Sequence, residues 1–405
     1  MPKTITDKQK VEEVLTRGVD NVYPGKNELK KVLLSGKRIK LYCGFDPSAP
    51  SLHIGNAIQI NKLSQFQELG HQVIFLIGDF TGMIGDPDKA AARKKMTRRE
   101  VLTNSKYYQK QASRWLNFSG SNPAKVLYNS QWSDPLTFKD LIEIASNFTV
   151  QQMIQRDMFQ VRLKEAKPIY LHEFLYPLAQ GYDSVGMDVD LEIGGSDQMF
   201  NMLAGRTLMK AIKNKEKFVL TNKLLVDPSG KKMGKTEGNI VNLNETPSNM
   251  YGQIMSWPDG LIGISFELCT KVSMNEVEEI YKQLEDKKIN PRDLKMKLAF
   301  EITKIAHGEK QAKEAQNSFV KTVQKKEAPE AIKNYKLKIM NWKLVDLLVE
   351  MGLTSSKGEA RRLIKQGGIK VDGEVVPNVD MTIKLDKQGI LLQRGKRGFV
   401  RVIGN

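Results

Sequence analysis

Cysteine is scarce in this chain of 405 residues: only Cys43 and Cys269 occur, far apart, with no CxxC pair and no histidine cluster beside either. Such spacing argues against a disulfide framework and against a zinc site. Long apolar runs are missing too. No stretch approaches the roughly 18 to 20 consecutive apolar residues that a membrane-spanning helix needs. The opening MPKTITDKQKVEEVL has no apolar core, and its acidic residues are foreign to organelle transit peptides. Internal repeats and low-complexity tracts are also lacking. These absences lead to the expectation of a cytoplasmic protein with no membrane partner.

What is present is an ordinary globular composition, 40% hydrophobic and 27% charged, in a chain long enough for two or three domains. The formal net charge is +17, and it is unevenly spread. From Lys336 to Asn405 there are 14 Lys and Arg against 7 Asp and Glu, so those 70 residues carry +7 and the other 335 share +10. A tail so enriched in positive charge suggests a dedicated polyanion-binding module rather than a generally basic surface.

Periodicity sets the architecture. After a helix over about Asp7 to Arg17, RIKLYCG reads as a buried strand in which Cys43 is a small hydrophobe. FDPSAPS then breaks regular structure. Apolar residues at Ile54, Ile58, Leu63, Phe66 and Leu69 predict a helix closed by Gly70, and HQVIFLIG is a second buried strand. Strand, helix and strand in so few residues form a βαβ unit with parallel strands. A long helix is expected from Thr97 to Phe118, opened by a Thr97–Glu100 capping box. Further strands are expected at KVLYNSQW, VDLEIGG and FVLTNKLLVD. Helices are expected near Leu136 to Phe148, Phe174 to Asp183 and Asp197 to Lys213. This order fits an open, doubly wound α/β domain over 1–240, whose ligand sits beyond the carboxyl ends of the strands. A helical domain over 241–325, a linker over 326–341 and a small basic α+β domain over 342–405 complete the chain.

Two constellations carry chemistry. Gly44 to Ser48 ends the first strand and Leu52-His53-Ile54-Gly55-Asn56 opens the next helix, whose amino terminus is a ready site for an anion. The second is Lys231-Lys232-Met233-Gly234-Lys235-Thr236, lysines spaced on a glycine-containing loop and suited to neutralising a pyrophosphate leaving group. Either alone would pass for a capped helix start or a solvated loop. Together they bracket one inferred α/β domain.

LHIGN resembles the HIGH signature of class I aminoacyl-tRNA synthetases, and KKMGKT resembles their KMSKS loop. LYCGFDPSAPSLHIGN, GDFTGMIGDPD, EFLYPLAQGYDS and DLEIGGSDQMFNMLAGR resemble the bacterial tyrosyl-tRNA synthetases in particular, and the likeness runs over nearly the whole chain. It implies a Rossmann-like catalytic domain, ATP as substrate with Mg2+ accompanying it, tyrosine and its tRNA as partners, a homodimer, and no protein-bound metal or organic cofactor. Position by position, the resemblance places Tyr42 and Asp183 at the substrate phenol. It places Asp86, Tyr176 and Gln180 at its ammonium, and Gln198 near its carboxylate. Cys43, Gly44, Asp46, Ser48, Gly55, Gly195, Asp197 and Met233 fall on the ATP side. His53, Asn56, Lys232, Lys235 and Thr236 are the expected stabilisers of the phosphoryl-transfer transition state.

The residues agree in kind: Tyr176, Gln180 and Asp183 fall on one helical face. The sequence departs from the signatures at Asn56, where the family has a second histidine, and at Gly234 and Thr236, where it has serines. An asparagine still offers an amide N–H donor. Lys89 and Arg93 lie in a basic segment suited to pyrophosphate or to the tRNA acceptor end.

Trp342 to Val402 resembles an S4 RNA-binding domain. Ser355 or Ser356 is placed to cap a helix bearing Arg361, Arg362 and Lys365, and Lys370, Arg394, Lys396 and Arg397 extend the basic surface toward RNA phosphates. Three alternatives stay open: a tryptophan-specific sibling, a small-molecule nucleotidyltransferase, and a non-catalytic RNA-binding derivative. Tyr42 with Asp183 favours tyrosine over tryptophan. The basic tail disfavours the second alternative, and retention of both signatures disfavours the third. An interface between copies is expected somewhere near Phe118 to Phe159.

Overall fold

The computed structural model describes residues 3–87, 95–226, 240–285, 290–321, 333–337, 339–395 and 398–404. The chain divides into two compact units, Met1–Glu309 and Lys310–Asn405. Among the described residues no helix is long and apolar enough to cross a membrane.

The first unit is built on six strands: β1 (Val19–Tyr23), β2 (Lys40–Phe45), β3 (Gln72–Ile77), β4 (Lys125–Tyr128), β5 (Leu191–Gly195) and β6 (Phe218–Asn222). Their spatial order is β1-β6-β5-β2-β3-β4, with β2 to β6 parallel and β1 antiparallel at the edge. The chain leaves β2 toward β3 on one side and returns to β5 on the other. The direction of winding therefore reverses between β2 and β5, and at such a point the loops diverge and leave a crevice. The parallel strands are apolar on both faces because helices cover both.

The Ile54–Glu68 helix shows how deep this core lies. Its polar Gln59, Asn61, Lys62, Ser64 and Gln67 are buried along with its apolar residues. Lys62 satisfies its ammonium group on the carbonyls of Val14 and Arg17, both at 2.8 Å, and burial lowers its pKa to about 7.

The opening helix spans Lys8–Thr16, capped by Asp7, which accepts from the N–H groups of Gln9 and Lys10. Edge strand β1 and the Lys26–Leu34 helix were not among the elements expected. β1 is half exposed and polar, so it lacks the apolar signature of its neighbours.

The long helix expected from Thr97 to Phe118 is instead two short ones, Arg98–Ser105 and Tyr108–Ala112. The Thr97–Glu100 capping box does form. The break follows from tertiary anchoring. The Tyr108 hydroxyl donates to the Ala49 carbonyl at 2.7 Å, and Gln111 Oε1 accepts the Leu52 N–H at 2.8 Å, turning the second segment onto the 47–52 loop.

Among the described residues, five α-helices follow the sheet in sequence between Pro247 and Phe319. In the second unit, strands Ile369–Val371, Glu374–Val375, Ile390–Arg394 and Gly398–Gly404 form a sheet with Lys333–Leu337, and Asn341–Lys343 pairs with Thr382–Lys384. Residues 333–337, assigned by composition to the linker, thus form a strand parallel to the last one. Leu344, Leu347, Leu348, Ile364, Ile369, Leu392 and Val402 make this unit's own core.

Candidate active site

The crevice between β2 and β5 opens into a cavity of about 280 Å³ in the first unit. Fourteen residues expected from the sequence line it. They are Tyr42, Cys43, Gly44 and Asp46 from β2 and its exit; His53, Gly55 and Asn56 from the Ile54–Glu68 helix start; Asp86; Tyr176, Gln180 and Asp183 from the Leu175–Met187 helix; and Gly195, Asp197 and Gln198 beyond β5. Ser48 does not line it. Its side chain is exposed and its N–H donates to the Asp46 carbonyl at 2.8 Å. Lys232, Met233, Lys235, Thr236, Lys89 and Arg93 lie outside the described residues.

At the floor, the Tyr42 hydroxyl and Ser184 Oγ are 3.0 Å apart. Asp183 is buried, and no cation among the described residues pairs with it. Oδ1 accepts from Trp132 Nε1 at 2.8 Å, and Oδ2 accepts from Asn129 Nδ2 at 3.3 Å. Burial raises the Asp183 carboxyl well above the usual carboxylate range, and these two donors oppose that rise. Burial likewise raises Tyr42. Trp132 and Asn129 were not foreseen. They sit 51 and 54 positions from Asp183, with no motif to mark them.

On one wall, Asp46 accepts from Thr81 Oγ1 at 2.6 Å and from the Tyr176 hydroxyl at 2.8 Å. Only glycine fits at position 78, because a Cβ there would lie 2.0 Å from Asp46 Oδ1. Asp86, expected at the substrate ammonium, is itself engaged. Arg156 donates to Oδ1 at 3.0 Å and Gln198 Nε2 to Oδ2 at 2.8 Å. The Arg156 guanidinium also lies 5.8 Å and 5.5 Å from the rings of Phe159 and Phe200. Gln180 Nε2 donates to Glu192 Oε1 at 3.1 Å, and Glu192 pairs with the fully buried Lys217. Glu192, Lys217 and Arg156 were likewise missed. The expected VDLEIGG strand contains Glu192 but offered no role for it.

The other end of the cavity is a helix start. The His53 N–H donates to Asn56 Oδ1 at 3.0 Å, which leaves the Asn56 amide nitrogen as its donor. Leu224 and Leu225 line the cavity, and beyond Ile240 the chain pairs at once with the 52–54 stretch. Ile54 N–H donates to the Val241 carbonyl and Leu243 N–H to that of Leu52, both at 2.9 Å. The flank before the Lys232–Thr236 segment therefore lines the cavity, and the flank after it pairs with the 52–54 stretch, whose His53 and Ile54 line it.

In the second unit, Ser356 rather than Ser355 caps the Lys357–Lys365 helix, accepting from the Glu359 N–H. Arg361, Arg362 and Lys365 are exposed on it, and Lys370 is half-buried on a strand. Arg394 is engaged within the fold, donating to the Leu353 carbonyl and to Glu359, both at 2.7 Å. Lys396 and Arg397 lie outside the described residues.

The chain resembles known proteins over nearly its whole length. Residues 34–324 match the family described as tRNA synthetases class I (W and Y), and residues 324–402 match the tyrosine–tRNA ligase SYY-like C-terminal domain. The tyrosine–tRNA ligase of Thermotoga maritima is 43% identical over 395 residues, covering 97% of each chain. That of Haemophilus influenzae is 40% identical over 400 residues, covering 98% of each. Among solved structures, a truncated Coccidioides posadasii mitochondrial tyrosyl-tRNA synthetase aligns with a TM-score of 0.62 at 24% identity, over 76% of this chain and 91% of that one. The Archaeoglobus fulgidus tyrosyl-tRNA synthetase complexed with L-tyrosine aligns at 0.59 and 19% identity, over 76% and 100%. These two likenesses support the fold. With a family match over most of its length and near-full-length relatives above 40% identity, the chain belongs to the tyrosine–tRNA ligases of the class I tRNA synthetase family.

Proposed function

We propose that the chain activates L-tyrosine with ATP and transfers it to the 3′ end of tRNA(Tyr). The observation that carries this reading is one cavity, at the sheet's winding reversal, lined by the phenol pair Tyr42 and Asp183, by Gln180 and by the His53–Asn56 helix start. Tyr42 and Asp183 take the phenol hydroxyl. A phenylalanine side chain would give neither of them that hydrogen bond, a form of selectivity for which this enzyme family is itself the standing example. Asp86, Tyr176 and Gln180 take the ammonium, and Gln198, oriented by its bond to Asp86, lies toward the carboxylate.

The reaction needs no protein nucleophile. A tyrosine carboxylate oxygen attacks the α-phosphorus of ATP, the bond to the bridging oxygen breaks, and pyrophosphate leaves with that electron pair. A ribose hydroxyl at the tRNA 3′ end then attacks the acyl carbon, loses its proton, and AMP departs. The protein's part is to position the reactants and stabilise phosphate charge. Gly55, His53 and the Asn56 amide at the helix start serve the phosphates and ribose, with Cys43, Gly44, Asp46, Gly195 and Asp197 beside them. The flanks of the Lys232–Thr236 segment, one lining the cavity and one paired with the 52–54 stretch, support Lys232, Lys235 and Thr236 as pyrophosphate ligands, with Met233 next to the nucleotide. Mg2+ enters with ATP and is held mainly by phosphate and water.

Arg361, Arg362, Lys365 and Lys370 meet tRNA phosphates in the second unit, and the enzyme works in the cytoplasm. A second copy of the chain covers the exposed apolar residues between Phe138 and Leu171.

The test is tyrosine-dependent ATP–pyrophosphate exchange, with phenylalanine and tryptophan as controls and Lys235→Ala alongside. Exchange with tyrosine only, depressed by at least about a hundredfold in the variant, is the expected result. Exchange with tryptophan would overturn the substrate, and no exchange from folded protein would overturn the activity.

A further inference from the structure

Among the described residues the Glu192–Lys217 pair is the most deeply buried charge pair beside the cavity, and nothing in the reaction itself calls for it. Glu192 lies on β5 with its carboxylate at the cavity wall, and Lys217 immediately precedes β6. Lys217 is fully buried, ion-paired to Glu192 Oε2, and donates to the Met202 carbonyl at 3.1 Å. Its ammonium group lies 5.8 Å from the centre of the Tyr42 ring. The fold makes a slot for it: a Cβ at Gly205 would sit 2.5 Å from Lys217 Nζ and 2.8 Å from Ser184 Oγ. A buried pair of this kind seldom raises stability over an apolar pair of equal volume, so its retention calls for another account.

That account comes from Gln180, whose amide touches the other Glu192 oxygen at 3.1 Å. An ionised carboxylate only accepts, so the amide must turn its nitrogen toward Glu192. The Gln180 oxygen is then left as an acceptor for a donor in the cavity. Lys217, ion-paired with the other Glu192 oxygen, supplies its counter-charge and leaves Oε1 as the acceptor that faces Gln180.

We propose that Glu192 and Lys217 are positioning residues for the substrate ammonium, fixing the Gln180 amide with its oxygen toward the ligand. The proposal rests on the reading of Gln180 as an ammonium ligand. It extends the recognition set to a pair that touches the substrate through another residue.

The experiment compares two competitive inhibitors of tyrosine activation. Tyramine carries the phenol and ammonium but no carboxylate, and 3-(4-hydroxyphenyl)propionate carries the phenol and carboxylate but no ammonium. The variants are Glu192→Gln, in which the partner can both donate and accept, and the double variant Glu192→Gln/Lys217→Met. The double variant removes both charges at nearly constant volume and so guards against misfolding; thermal unfolding confirms its fold. In each, tyramine should bind about tenfold more weakly, with KM for tyrosine raised by a like factor and kcat within about threefold. Binding of 3-(4-hydroxyphenyl)propionate should stay within about twofold. Equal weakening of both inhibitors, or no change in either, overturns the proposal, since a merely structural pair would not tell them apart. Gln180→Ala separates the two levels. Selective loss of tyramine there, but not in Glu192→Gln, leaves the ammonium reading standing and removes only the positioning pair. No selectivity in Gln180→Ala removes both.

Discussion

Asp183 is a buried carboxylate whose charge is met by neutral donors, the Trp132 indole and the Asn129 amide. Two neutral hydrogen bonds oppose the desolvation cost without cancelling it, which is why its pKa stays raised. A phenolic O–H would supply a further donor at this spot. Trp132→Phe keeps an aromatic ring but deletes the N–H, leaving one Asp183 oxygen unsatisfied. Tyrosine KM in the exchange assay should rise by about fivefold to twentyfold, and discrimination against phenylalanine should fall. An unchanged KM would show that the indole serves packing alone. Arg156 stands in the same relation to Asp86, and Lys217 to Glu192. Asp183 and Asp86 were expected from the sequence and Glu192 was not, and none of the groups that hold these three carboxylates was foreseen.

Among the elements, the start of β3 carries a titration that stability should report. His71 is fully buried beside Gly70, its Nδ1 accepts weakly from the Ile39 N–H at 3.4 Å, and burial, aided by the Arg38 charge, holds its pKa at about 4. The unfolded chain protonates this imidazole near its ordinary value of 6.5, so between pH 6.5 and 4 the unfolded state binds more protons. Stability from this group is complete above pH 6.5 and is lost as pH falls toward 4. Urea unfolding at pH 7 and pH 5 should therefore differ by about 1–2 kcal/mol more in the native protein than in His71→Asn. Equal differences would mean that the imidazole titrates normally in the fold. At this same scale the periodic helices and apolar strands were legible from residue spacing. The division of the expected 97–118 helix was not, because Tyr108 and Gln111 are held by the 47–52 loop, a contact that spacing cannot express.

For the whole molecule, the exposed apolar face bears on assembly. Phe138 and Leu171 are 78% and 80% exposed, with Ile142 and Val150 also well exposed. On the Phe138–Ala145 helix, Phe138 and Ile142 are four residues apart and share a face. In the proposed reading, this is the face that a second copy would cover. Sedimentation of the native protein should give the mass of two chains, and Phe138→Asp should shift it toward one chain at micromolar concentration. A single-chain mass for the native protein would leave this face without its second copy.

By itself the sequence determined the alternation of strand and helix, the basic bias of the last 70 residues, and the two signature stretches, because each is a local pattern of apolar spacing, charge or short motif. The tertiary structure decided which distant residues share a cavity. It also decided the antiparallel edge strand, the strand at 333–337, the role of Arg394 as an internal tie and the exposure of Ser48. The physical reason is common to these cases. A buried carboxylate selects its donors by distance in space, and the winding reversal between β2 and β5 brings together residues from Tyr42 to Leu225 that no local pattern relates.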